Sequence, residues 1–385
     1  MKKYFSFFKS IGYLLVILVF TTFFIGCNDK KSELDSVKTT YVVKVSDDSF
    51  KKEGTLSEFV EDIVYILLDT SKNVPLIGNI DKVEFIENKI LVLDKTISKS
   101  LFIFDNNGKF VQKIGSVGQG PGEYNEIYDF YTTVTNGNLY YCLKSNNKVL
   151  YYDKNGKYKS EKAIPLSREI SKYNDGFALI GIDYDLLCMD DSLQKIKNSF
   201  FPLGTIYPKA TLWPFTKTND GSLLYRHSLS DTIFKILTNK IYPHTIISFS
   251  NPIPNEDLKQ LIKEGLNTRP PINKMHSIKY YSENESKICF YFYYNNSYYM
   301  SLFDKKNKKT VVISPNIQND VTFESTPPIL FSTHSKYFVG VLDPKNITLN
   351  SLDRKNRFVK KILDTYSNVD LKKDINPTII LVKFK

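Results

Sequence analysis

Four glycines, Gly115, Gly118, Gly120 and Gly122, fall within the stretch Gly115-Ser116-Val117-Gly118-Gln119-Gly120-Pro121-Gly122-Glu123-Tyr124. Glycine-rich loops let backbone N–H groups close on an anion, so the first chemistry to weigh is a phosphate cradle. The rest of that motif is missing. No Lys-Ser or Lys-Thr follows, Pro121 removes a donor, and Asn125 to Thr135 reads as a strand where the cradle needs a helix. The stretch is read instead as a connection between strands that needs positive φ at several positions. Its polar side chains Gln119, Glu123 and Tyr124 are the candidate ligand-facing residues, at the mouth of a central channel.

Other reactive types are scattered. His227, His244, His276 and His334 show neither His-x-x-x-His spacing nor pairing with cysteines, so no metal ligand is assigned and each is read as a solvated or hydrogen-bonded histidine. Glu61-Asp62 and Asp190-Asp191 alternate across a strand or sit in a turn, which does not make an acid and base pair. No Gly-x-Ser-x-Gly elbow is present, and no catalytic residue is named. The run Phe290-Tyr291-Phe292-Tyr293-Tyr294 invites sugar stacking. Strand alternation, however, sends Phe290, Phe292 and Tyr294 to one face and Tyr291 and Tyr293 to the other, as a sheet packed on both sides requires.

The N-terminus gives an address. Lys2, Lys3 and Lys9 precede an apolar run from Ile11 to Ile25, too short to span a bilayer comfortably, so residues 1–26 read as an export signal. Its end, Phe24-Ile25-Gly26-Cys27, resembles the lipobox of bacterial lipoproteins, which implies that Cys27 is lipidated and becomes the mature N-terminus. Two or more acyl chains anchor a protein stably, at about 0.8 kcal/mol per buried CH₂. The expected location is the cell envelope, anchored to the outer membrane, with periplasmic and surface sides both open. Outside the cytosol ATP, NAD and nucleic acid are scarce, so cofactor chemistry and nucleic-acid binding are not expected. The net charge of +11 falls to +8 when the three signal lysines leave, a mild excess spread along the chain.

Residues 27–58 are polar and read as a tether with one alternating piece, Tyr41 to Val45. From 59 to 385 a strand pair joined by an Asp-headed turn recurs. Lys89 to Asp94 with Leu101 to Phe110 is one copy, and Asn138 to Leu143 with Val149 to Tyr158 is another; 48 residues separate Asp105 from Asp153. Asp and Asn accept hydrogen bonds from their own turn and Gly tolerates positive φ, so each copy is a hairpin with a mechanism. Weaker copies lie near Asp190, Asn239 and Asp304. A period of about 40–50 residues with four short strands is a β-propeller pattern. The expected fold is all-β, a six-bladed propeller. Its last blade is closed by Tyr337 to Leu342 as inner strand, then Thr378 to Lys383, then Ile63 to Leu68 from the N-terminal side. Pro254 to Leu266 reads as an inserted helix, and Pro344 to Lys373 as a partly helical excursion or a further hairpin at Asp353. Cys142, Cys188 and Cys289 each sit in an apolar strand and read as small buried hydrophobes, with a single disulfide left open.

Tyr65 to Thr70, Leu76 to Val83, the Gly-Pro-Gly-Glu-Tyr loop, Asp231-Thr232-Ile233 and the closing Asn376-Pro377 strand carry a resemblance. The chain from about Phe59 onward is similar to six-bladed β-propeller lipoproteins of Bacteroidetes, related in architecture to NHL-repeat proteins. The resemblance implies fold and address and no established chemistry. The functional expectation is a binding or scaffolding module for a protein, peptide or glycan partner at the envelope. The alternative is a metal-dependent hydrolase or lyase with its site at the channel mouth.

Overall fold

The structure is a computed structural model that describes residues 40–203, 213–218, 220–228, 230–264, 273–347, 355–367, 369 and 375–385. Cys27, the export signal, most of the tether and the hairpin alternative at Asp353 lie outside these residues.

Six antiparallel sheets follow one another around a ring. Blade 1 is built from Lys82–Ile86, Lys89–Asp94, Ser100–Asp105 and Phe110–Ile114. Blade 2 spans strands from Asp129 to Ala163, blade 3 from Ile170 to Pro202, blade 4 from Phe215 to Phe249 and blade 5 from His276 to Ile313. The protein is a six-bladed β-propeller. Within a blade the two-residue period of the strands sorts side chains between neighbours. Ile90, Val92, Phe102 and Phe104 pack on Val339, Ile379 and Leu381 of blade 6. The intervening Leu91, Leu93, Leu101 and Ile103 pack on Phe130, Tyr141, Leu143 and Leu150 of blade 2. This is why the middle strands read as uninterrupted apolar runs: both faces are covered. The aromatic run of blade 5 obeys the same rule, with Tyr291 in the seam with blade 6 and Phe292 on Phe249 of blade 4, ring centroids 5.1 Å apart.

The hairpin turns work as their sequence implies. Asp105 Oδ1 accepts from the amides of Asn107 and Lys109 at 2.9 and 3.0 Å, and Asp153 Oδ1 accepts from those of Asn155 and Lys157, both at 3.0 Å.

Blade 6 corrects one expectation. Its inner strand is Leu330–His334, and Tyr337–Leu342 is the second strand; Thr378–Phe384 and Val60–Leu67 complete it. The inner strand was hidden because it is five residues long, follows Pro327-Pro328 and ends polar at Ser332-Thr333-His334. The closure itself joins the two ends of the chain, with Ile380 in register with Gly340 on one side and Tyr65 on the other. The fully buried Asn376 secures the junction. Its side-chain oxygen accepts from the Ile77 amide at 2.7 Å and its nitrogen donates to the Asp69 carbonyl at 2.7 Å.

Two pieces before residue 59 add to outer edges, where open strands would otherwise be exposed. Tyr41–Val45 is a fifth strand beside Lys240–Phe249 in blade 4, and Phe50–Lys51 pairs in parallel with Val312–Ile313 in blade 5. Helix α1, Asn255–Glu264, lies between blades 4 and 5 in sequence. Helix α2, Arg357–Tyr366, is capped by Asn356, which accepts from the Phe358 amide, and buries Phe358, Val359, Ile362 and Tyr366 with the blade 6 core.

Candidate binding cleft and channel mouth

The glycine-rich connection runs from the outer strand of blade 1 to the inner strand of blade 2. Gly115 has φ +76° and opens the turn, and Ser116–Val117 pairs in parallel with Glu123–Tyr124. The Glu123 carboxylate accepts from the Gly120 amide at 2.8 Å. A Cβ at Gly118 would meet the end of that carboxylate side chain, which would have to swing away and give up its bond to the Gly120 amide. Tyr124 is 2% exposed, and its hydroxyl donates to the Lys99 carbonyl at 2.9 Å; burial pushes that hydroxyl up to about 12. Gln119 is exposed.

All three residues border one open cleft of about 580 Å³ between blades 1 and 2, with unequal roles. Tyr124 and Glu123 shape the loop, and Gln119 faces solvent. Lys99, Asn125, Asn146 and Lys148 share the lining and carried no signal in sequence, because they come from three separate turns. Beneath this wall Lys144 donates to the Asn146 carbonyl at 2.6 Å and to the Ser167 carbonyl, and burial lowers it to about 8. Its ammonium also sits 5.0 Å from the centre of the Tyr128 ring, a cation–π contact that orients that cleft residue.

The channel mouth is a neighbouring site that meets the cleft at Tyr128. Asp81, Lys82, Lys95, Asp129, Glu169 and Trp213 are among its lining. Lys82 donates to Asp129 at 2.7 Å and to the Phe130 carbonyl at 2.8 Å, and lies 3.2 Å from Glu84, which also pairs with Lys217 of blade 4 at 3.1 Å. Burial works against ionisation of Glu84, yet the Lys217 and Lys82 ammoniums hold it down to about 2. Glu169 has the opposite balance: burial and the Asp129 charge push it well above the ordinary carboxylate range. Ion pairs that bridge blades 1, 2 and 4 thus lie beside a carboxyl whose ionisation burial and the Asp129 charge oppose. Among the described residues no group of three or more His, Cys, Asp or Glu side chains is placed to hold a metal ion.

Comparison with known proteins agrees with this architecture. A protein of Bacteroides fragilis NCTC 9343 named as an exported protein is similar at a TM-score of 0.73 and 19% identity, over 89% of this chain and 99% of that one. A member of the DUF4221 family from Bacteroides vulgatus ATCC 8482 is similar at 0.48 and 11% identity, over 85% and 97% of the two chains. Virginiamycin B lyase from Staphylococcus aureus is similar at 0.39 and 13% identity, over 67% and 75%. At such identities the likeness is one of fold. No curated protein matches the chain. The model of one family matches residues 40–383, nearly the whole described body, and the chain belongs to that family, a domain of unknown function designated DUF4934.

Proposed function

We propose that the protein is a binding propeller of the cell envelope, held to the outer membrane through a lipid on Cys27, and that the cleft between blades 1 and 2 receives its partner. The observation that carries this reading is the cleft's chemistry. Gln119, Asn125, Ser145 and Asn146 offer amides and a hydroxyl, Lys148 and Glu126 offer charges, and no aliphatic side chain lines it. Protein partners anchor on apolar hot spots in dry pockets, whereas this lining is polar apart from Tyr124 and Tyr128. A hydroxyl-rich ligand needs many modest hydrogen bonds, which these amides, charges and hydroxyl offer, so among protein, peptide and glycan partners a glycan fits best. The metal-assisted hydrolase or lyase reading gains no support at the mouth, where Asp129 and Glu84 are already engaged by lysines.

Titration of the protein against solubilised envelope glycans tests the reading. The double variant Gln119→Ala with Asn146→Ala should weaken binding by about tenfold or more, each lost hydrogen bond being worth about 1 kcal/mol, with unchanged melting. Equal binding by the variant would remove the cleft from consideration. Labelling of cells with an alkynyl fatty acid, retained by the wild type and lost in Cys27→Ser, tests the anchor.

A further inference from the structure

The channel mouth encloses a cavity of about 70 Å³, lined by residues of blades 1 to 4. One of them, Trp213, also reaches the remaining blades. Its indole stands against Phe331 of blade 6, ring centroids 4.0 Å apart, and against Tyr280 of blade 5 at 6.3 Å. Side chains from all six blades therefore meet at or beside this one cavity, on the axis of the ring.

Most of the charge around it is engaged within the protein. Lys82 donates to Asp129 and to the Phe130 carbonyl and pairs with Glu84, which accounts for all of its ammonium hydrogens. Asp129 accepts from Lys82 and the Phe130 amide on one oxygen and from the Ile170 amide on the other. Asp81 accepts from the Asn79 side chain at 3.0 Å and from the Lys95 amide at 2.8 Å. Two groups of the lining are left over. Among the described residues no hydrogen bond or ion pair reaches the Glu169 carboxyl or the Lys95 ammonium. Neither oxygen of Glu169 is sealed from solvent, so both look onto accessible space. The two groups act on each other electrostatically without pairing. Burial and the Asp129 charge oppose ionisation of Glu169, while Lys95, Lys82 and Arg168 favour it, and Arg226 of blade 4 feels the same carboxyl.

An unpaired acid and an unpaired base on one small cavity select their ligand. A lone cation would answer Glu169 and be repelled by Lys95, and a lone anion would do the reverse. A zwitterion meets both through charge-assisted hydrogen bonds, which are the strong ones. Size narrows the class further. A water needs about 10–15 Å³ of such space, so the cavity admits roughly five or six non-hydrogen atoms, an α-amino acid with a hydrogen or a methyl side chain. Leu93, Trp213 and Phe215 give the lining an apolar portion for that methyl, and an aromatic face also attracts an ammonium.

We propose that the channel mouth is a binding site for a small free α-amino acid, held with its ammonium on Glu169, its carboxylate on Lys95 and its side chain toward Trp213 and Phe215. The incoming ammonium supplies the counter-charge that Glu169 lacks, so the carboxyl ionises on binding and releases its proton to solvent. The site shares only Tyr128 with the lining of the cleft and does not depend on the glycan reading.

Calorimetric titration of the intact chain in detergent with glycine, alanine, ethylamine and propionate tests the site. Glycine or alanine should bind saturably, and ethylamine and propionate, each lacking one of the two charges, at least about tenfold more weakly. Glu169→Gln and Lys95→Met should each weaken the amino acid by about tenfold or more. Neither substitution strips a partner from another protein group, so melting should be unchanged; if either variant fails to fold, the half-ligands and the proton count decide. Near about pH 6.5 the wild type should release about one proton per amino acid bound, read from two buffers of different ionisation enthalpy, and Glu169→Gln should release none. A purely structural Glu169 would give no such release. No saturable binding of either amino acid at about 10 mM, where even a weak site fills, would overturn the proposal. So would a half-ligand as tight as the amino acids, full affinity in either folded variant, or proton release absent from the wild type or kept in Glu169→Gln.

Discussion

Asp129 takes the Lys82 ammonium on one oxygen at 2.7 Å and the Ile170 amide on the other at 2.8 Å, so a single carboxylate links the inner strands of blades 1, 2 and 3. Removing one member of a buried pair leaves the other charge desolvated and uncompensated, which is costlier than never having had the pair. Asp129→Ala should therefore destabilise the propeller by roughly 3 kcal/mol in urea unfolding, and adding Lys82→Met should recover part of that loss. A single variant within 0.5 kcal/mol of wild type, about the reach of an ordinary surface change, would show that the link is incidental.

Glu84 gives the pH dependence. Its folded value of about 2 lies below its ordinary 4.5, so its contribution is complete above about 4.5 and fades as pH falls toward about 2. Wild type should exceed Glu84→Gln by roughly 1–2 kcal/mol at pH 7, and the two should converge near pH 2. Urea midpoints measured across that range decide it; a gap that stays constant would mean that the Lys82 and Lys217 contacts do not favour the ionised form.

Ring closure rests on the last strand. Ile380 is fully buried between the second strand of blade 6 and the strand carrying Tyr65, whose hydroxyl donates to the Val321 carbonyl at 2.5 Å. Ile380→Ala should cost about 2–5 kcal/mol through the cavity it leaves. Deleting residues 378–385 removes a strand from the middle of a sheet and should abolish cooperative unfolding altogether, as seen by calorimetry. A truncated chain with a sharp transition would show that blade 6 can close without it.

The sequence exposed what is local and hid what the ring brings together. Asp105 and Asp153 declared their hairpins because the turn is satisfied within five residues. The alternating cores of the middle strands were legible for the same reason. Leu330–His334 was not, since an inner strand needs few residues and borders a polar channel, as does the three-residue Phe215–Lys217. Lys82, Asp129 and Glu169 stand at or next to the starts of three successive inner strands. No spacing rule marks residues that meet only when blades are arrayed around an axis. Asp185 and His227 are neighbours by the same mechanism, from adjacent blades. In the cleft, Gln119 was found because glycines flag its loop, whereas Lys99 and Asn146 sit in turns of ordinary composition.

Two glycines in matching turns should respond differently to alanine. Gly108 has φ +82°, and a Cβ there would collide with the Leu67 carbonyl oxygen, a backbone atom held by its own strand. Gly156 has φ +78°, but its Cβ would meet the flexible ends of Ile114 and Gln112 at 3.1 and 3.3 Å. Both substitutions carry the left-handed strain of about 1 kcal/mol, and only Gly108→Ala adds a backbone displacement. The expected order of melting temperatures is wild type, then Gly156→Ala, then Gly108→Ala. Equal losses would mean that the blade 6 edge yields freely.

Cys142, Cys188 and Cys289 are free and buried in three different blades. Burial raises all three thiols, Cys142 to about 12 and Cys188 to about 11, and thiolate is the reactive form. In the folded protein at pH 8 a chromogenic disulfide reagent should react with none of them on the timescale of minutes, and in denaturant it should react with all. The same titration bears on Cys27. The chain holds four cysteines, so protein isolated from the native envelope should release three equivalents if Cys27 carries a thioether-linked lipid, whereas unprocessed protein made without export should release four. Four equivalents from the native envelope would leave the thiol unmodified and the proposed anchor without its attachment.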